Sequence, residues 1–137
     1  ASLARTVTRL GGSGLMPDQT TALVSYLAVL PPPRPPTLDH AAVARGKQVF
    51  DGAGGCVECH SGPRFTDGTR HRFKSTLELA DTPSLIGLSA SAPYYHDGSA
   101  ETLEVLVGGG GEVHGMGDMS ELSPAQRADL AVFLSSL

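Results

Sequence analysis

Two cysteines three positions apart, with a histidine directly after the second, constrain this chain more than any other feature: Cys56-Val57-Glu58-Cys59-His60. They are the only 2 cysteines in 137 residues. Two intervening residues let the backbone curl so that both sulfurs face one edge of a single object, while the next side chain turns beneath it. Gly52, Gly54 and Gly55 permit a tight backbone approach just before the pair. A zinc site would need four ligands and would have to recruit histidines into an unusual set. A thioredoxin-like redox pair wants a βαβ setting, which this sequence does not offer. A disulfide across so short a loop would constrain little chain. The spacing is that of c-type haem attachment, in which two thiols add across the haem vinyls and the adjacent histidine, His60, ligates iron.

Composition agrees with a core built around a guest. Hydrophobic residues make up 40%, but aromatics only 5% with no Trp, so few large side chains are available to fill an interior. A buried macrocycle fills that gap, although an ordinary Ala/Leu/Val helical core is equally compatible with composition alone. The formal charge of −4 and the lack of a Lys/Arg cluster speak against nucleic acid as a partner. The longest apolar run, 23–30, is interrupted by Ser25 and is far too short to span a bilayer. No signal peptide is visible at Ala1-Ser2-Leu3, as expected of a processed product or an excised piece.

Five prolines in residues 31–36, interrupted only by Arg34, form a stiff extended linker with no helix or ladder hydrogen bonds to offer. Residues 1–30 before it are a helical arm, with a helix that Pro17 starts and the proline run stops. Residues 37–137 are the main domain. Asp39 is the expected N-cap of a helix to about Phe50, with Ala42 or Val43, Gly46, Val49 and Phe50 on one face. Ser99 is the expected cap of a short helix carrying Leu103, Leu106 and Val107, and Ser123-Pro124 opens a closing helix with Leu130, Phe133, Leu134 and Leu137 as its stripe. The long middle reads as loop. The expected class is all-α: three to five short helices and long loops wrapped around one covalent haem.

Residues 15–30 also repeat residues 122–137. Pro17, Gln19, Leu23, Leu27 and Leu30 fall on Pro124, Gln126, Leu130, Leu134 and Leu137, with Tyr26 on Phe133. Whole-domain repeats leave such a trace, so the arm is expected to be the end of a preceding haem domain. Two unrelated amphipathic helices beginning with Pro would share part of the pattern.

With His60 on one side of the iron, the other axial position has seven candidates: His40, His71, His96, His114, Met16, Met116 and Met119. Met16 lies in the arm, where packing is expected of it, and His40 at a helix start faces solvent. His114, Met116 and Met119 lie in or just after the Gly-rich segment 108–117, from which a thioether can be carried over the opposite haem face.

Several further elements complete a pattern: Ala44-Arg45-Gly46-Lys47 with Phe50; Ser61-Gly62-Pro63-Arg64-Phe65-Thr66-Asp67-Gly68; Asp81-Thr82-Pro83-Ser84-Leu85; Ala92-Pro93-Tyr94-Tyr95-His96-Asp97-Gly98; and 129–134. Together with the cysteine motif they resemble the cytochrome c fold, and most closely the C-terminal haem domain of bacterial di-haem cytochrome c peroxidases. That group also includes the di-haem enzyme that matures a tryptophan-derived quinone cofactor. The resemblance covers about residues 37–137. It implies that helix 39–50 crosses the closing helix, with Gly46 and Phe50 meeting Phe133 and Leu134. It also implies that Met116, followed by Gly117, is the sixth ligand, with Met119 the alternative, and that His96 organises the haem pocket. Glycines 108–111 depart from the family pattern, and the first haem domain, where the family performs peroxide chemistry, is missing here.

The expected function is therefore single-electron transfer through one haem c, as a relay domain of a larger multi-domain or di-haem protein rather than a self-sufficient enzyme. A peroxidase-type site with an open sixth position is the alternative, with His71, His96 or His114 as acid or base. A redox or gas-sensing haem module is the third reading. The expected partner is a redox protein or a neighbouring haem domain, and the resemblance implies a periplasmic or otherwise exported location.

Overall fold

The computed structural model describes residues 2–72, 78–110, 116 and 119–137. The chain forms two compact units, Ala1–Pro32 and Pro33–Leu137.

In the smaller unit α1 (Ser2–Arg9), which the sequence patterns did not announce, is followed by α2 (Pro17–Val29). Pro17 sits in the first turn of α2, where a missing N–H is no loss, and the Gln19 side chain accepts a hydrogen bond from the Met16 backbone N–H at 2.9 Å. No residue of α2 is buried. Met16 is 64% exposed, so the packing role expected for it is not met within its own unit.

The larger unit is organised by two helices. α3 (His40–Asp51) is capped by Asp39, whose carboxylate accepts from Ala41 N–H at 2.9 Å. The closing helix, Pro124–Ser135, is capped reciprocally: the Ser123 hydroxyl accepts from Gln126 N–H at 3.3 Å, and the Gln126 side chain accepts from Ser123 N–H at 2.9 Å. The two helices cross so closely that a Cβ on Gly46 would lie 2.0 Å from the Asp129 carbonyl oxygen and 2.6 Å from Phe133 Cβ. Glycine is required there by the neighbouring backbone and not by its own dihedrals. Beside the crossing, Arg45 grips Asp129 with two hydrogen bonds of 2.7 and 2.8 Å, and the Phe50 and Phe133 rings meet edge to face at 5.2 Å.

Between these helices the chain is mostly loop, with a 3-10 turn at Cys56–Glu58 and another at Leu88–Ala90. Strand β1 (Arg70–Arg72) pairs antiparallel with β2 (Leu79–Asp81). Three residues per strand are too few to produce a period-two signature, so this ladder escapes the sequence patterns; the fold remains helical with long loops. α4 (Leu103–Val105) continues into a π-type turn over Leu106–Gly110. Its cap corrects the sequence expectation. Thr102 rather than Ser99 fills the position, its hydroxyl accepting from Val105 N–H at 3.2 Å. Ser99 is engaged three residues earlier, donating its backbone N–H to Asp97 at 3.1 Å. Numbering the closing helix after α4 makes Pro124–Ser135 α5.

Candidate haem site

The site begins where α3 stops. Gly52 leaves helical geometry, the Gly54 N–H turns back to the Val49 carbonyl at 2.8 Å, and Gly55 adopts a left-handed conformation at φ +62 that launches the Cys56–Glu58 turn. Gly54 is buried, and a Cβ there would stand 2.9 Å from Val49 O and 3.2 Å from Cys56 Sγ. The cysteine turn is thus pressed against the end of α3, with Cys56 packed on the core cluster.

Both thiols are unpaired. Burial pushes the Cys56 thiol up to about 11. Cys59 is raised as well, chiefly by desolvation and then by the negative charges of Asp67 and Glu58. Two thiols on one short turn can both reach one edge of a single organic group.

His60 is held by the loop that follows. Its Nδ1 lies 3.1 Å from the Phe65 carbonyl oxygen. A carbonyl only accepts, so Nδ1 carries the proton and the neutral ring offers Nε2 as its lone-pair donor. Burial lowers the His60 pKa, opposed by the carbonyls of Phe65 and Pro83, and the neutral ring is the form that ligates a metal. Phe65 achieves this from a positive φ of +51, unusual for a residue with a side chain. The same twist sets its ring 5.8 Å from Phe50 and 6.2 Å from Phe133, so packing holds the conformation that orients His60.

Asp67, quoted above within the Ser61-to-Gly68 element but given no role of its own there, is a neighbour of Cys59, and Asp67-Gly68-Thr69 is turn chemistry. Its backbone N–H donates to the Cys59 carbonyl at 2.9 Å. Its carboxylate accepts from Thr69 N–H at 2.9 Å and faces His71 Nε2 at 2.7 Å. These partners, the Thr69 N–H first, hold Asp67 well below the usual carboxylate range. One side-chain sulfur, oxygen or ring-nitrogen atom from each of Cys59, Asp67 and His71 lies within 4.8 Å of the other two.

Of the axial candidates, Met119 is buried at 7% exposure within the core cluster, while Met116 is half-buried. His40 and His96 are exposed and His71 is engaged with Asp67. His114, Gly111 and Gly117 lie outside the described residues. A surface depression lined by Tyr94, Glu101 and Leu103 includes none of these candidates.

The cytochrome c family model matches residues 43–137, and this chain belongs to the cytochrome c family. Membership implies a covalently bound c-type haem, and the residues fit one: a turn carrying two thiols, a buried Gly54 with no room for a Cβ, and a histidine oriented through Nδ1. The chain is 33% identical over 122 residues to the methylamine utilization protein MauG of Methylorubrum extorquens, an alignment covering 71% of this chain and 35% of that protein. It is 28% identical over 142 residues to a cytochrome-c peroxidase of Denitromonas iodatirespirans, covering 67% of this chain and 38% of that one. The chain thus spans little more than a third of either relative. Hydrazine synthase of Kuenenia stuttgartiensis shares the fold, with a TM-score of 0.72 at 24% identity over 90% of this chain and 56% of that one. Among the described residues no helix is long and apolar enough to cross a membrane.

Proposed function

We propose that this chain transfers single electrons through one haem attached by Cys56 and Cys59, with His60 as the proximal iron ligand and Met116 as the distal one. The observation that carries this reading is the His60 Nδ1 to Phe65 carbonyl contact at 3.1 Å, which presents Nε2 from a partly buried ring. The haem supplies a one-electron couple, and a thioether ligand in a water-excluding pocket favours its ferrous form. The protein's part is to hold His60 in one tautomer and to keep water out with the Phe50, Phe65 and Phe133 cluster. Met119, already a core residue, is the alternative distal ligand.

The wider reading is a relay within a longer, exported protein, exchanging electrons with a redox partner or a neighbouring haem domain. Support comes from the arm. Tyr26 and Leu27 are 60% and 43% exposed, whereas their counterparts Phe133 and Leu134 in α5 are 4% and 5% exposed. The face that α3 covers on α5 stands open on α2, as expected if α2 closes a preceding domain of the same kind.

The test is spectroscopic. The ferric protein should show the weak long-wavelength sulfur-to-iron charge-transfer band, and Met116→Ala should abolish it; persistence of the band moves the role to Met119. The similarity to a cytochrome-c peroxidase supports a second reading, an open or exchangeable sixth position on the iron. A high-spin ferric spectrum with rapid cyanide binding would favour it.

A further inference from the structure

We infer that Arg127 is a positioning residue for the distal ligand, a staple that closes the two ends of the segment carrying Met116 and Met119. This rests on the methionine ligation proposed above.

Arg127 lies in the first turn of α5. Its Nε donates to the Leu122 carbonyl at 3.0 Å, and its terminal nitrogen donates to the Gly108 carbonyl at 3.3 Å. Gly108 lies where the chain leaves α4, and Leu122 where it returns to α5. One guanidinium therefore ties together the exit and the entry of the stretch that holds both methionine candidates. The planar fork meets the two carbonyls with two separate nitrogens, whereas an ammonium would have to reach both from a single nitrogen.

Neighbouring contacts define what the staple holds. The π-type turn is anchored once more at Leu106, whose carbonyl accepts from the Tyr95 hydroxyl at 3.1 Å. Gly109 then turns at φ +141, a conformation that favours glycine, so the chain pivots immediately beyond the Gly108 carbonyl that Arg127 holds. At the other end Leu122 is buried at 2% exposure, and its N–H donates to the Met119 carbonyl at 3.2 Å. The Arg127 contact at Leu122 thus bears on the turn containing Met119. Without the fork, the Gly108 carbonyl at the helix end has one partner fewer, directly beside the pivot at Gly109.

A purely structural arginine would change unfolding alone; a staple on the ligand segment changes exchange at the iron. The experiment uses the full-length ferric holoprotein, with cyanide as the probe. Arg127→Met keeps the stem and removes every donor, and Arg127→Lys keeps the charge but not the fork. The expected result is that wild type shows the sulfur-to-iron band, while both variants show it weakened and bind cyanide about tenfold faster or more. Far-UV circular dichroism should be native-like in at least Arg127→Lys, which serves if Arg127→Met does not fold. Wild-type band intensity and cyanide rate in a folded variant overturn the staple and leave methionine ligation standing. Absence of the band in wild type overturns both, and is seen before any variant is made.

Discussion

Replacing Gly46 with Ala tests the packing that positions the whole site. An added methyl carbon would lie 2.0 Å from the Asp129 carbonyl oxygen and 2.6 Å from Phe133 Cβ. Carbon and oxygen approach to about 3.3 Å even in their closest favourable contacts, so α3 and α5 must separate by roughly an ångström. The obstruction is helical backbone, which has no rotamer into which to retreat. A gap of that size forfeits about a quarter to a half of the dispersion attraction for each atom pair across the crossing. Overpacking of this kind costs about 1–3 kcal/mol and sometimes more. Alanine returns about 1 kcal/mol of helix propensity. With the strain at the upper end and the lost Phe50 and Phe133 contact added, the net expectation is about 3 kcal/mol of destabilisation. For a domain of this size that is a fall in Tm of about 10–20 °C. Thermal and urea unfolding followed by circular dichroism measures it. Gly46→Ala as stable as wild type, with its haem fully attached, would refute the close crossing of α3 and α5.

Gly54→Ala should lower the yield of covalently attached haem, because its Cβ would press on Val49 O at 2.9 Å and Cys56 Sγ at 3.2 Å; pyridine haemochrome absorbance per mole of protein measures it. Thr102→Ala should cost about 1 kcal/mol through loss of the α4 cap; the urea midpoint measures it. Arg45 holds the Asp129 carboxyl below its ordinary value of 3.8. A depressed carboxyl contributes stability that is fully present above that value and is lost as pH falls through the lower folded one. The urea midpoint should therefore drop between pH 5 and about pH 2, and Asp129→Asn should drop less over the same interval. An equal loss in both proteins would remove Asp129 from the acid response.

Several features were legible because they are local. Cys56, Cys59 and His60 lie on one turn, and the caps Asp39 and Ser123 act on N–H groups two and three residues away, so adjacent letters suffice. The cap of α4 was misplaced because Ser99 and Thr102 are both good cap residues, and only the path after Tyr94 shows that Ser99 is already used in a turn. The short β1–β2 ladder carried no readable period.

What the sequence alone determined is the chemistry: a cysteine turn with an adjacent histidine, two candidate thioethers, and helices whose apolar stripes must be buried. What only the tertiary structure decided is orientation. The carbonyl that selects the His60 tautomer belongs to a phenylalanine at positive φ, held there by Phe50 and Phe133 from opposite ends of the unit. The reason for Gly46 lies on the carbonyl of Asp129, and the guanidinium that closes the methionine segment binds Gly108 from nineteen residues away. Such contacts depend on which surfaces meet when the chain packs, and sequence spacing does not encode that distance.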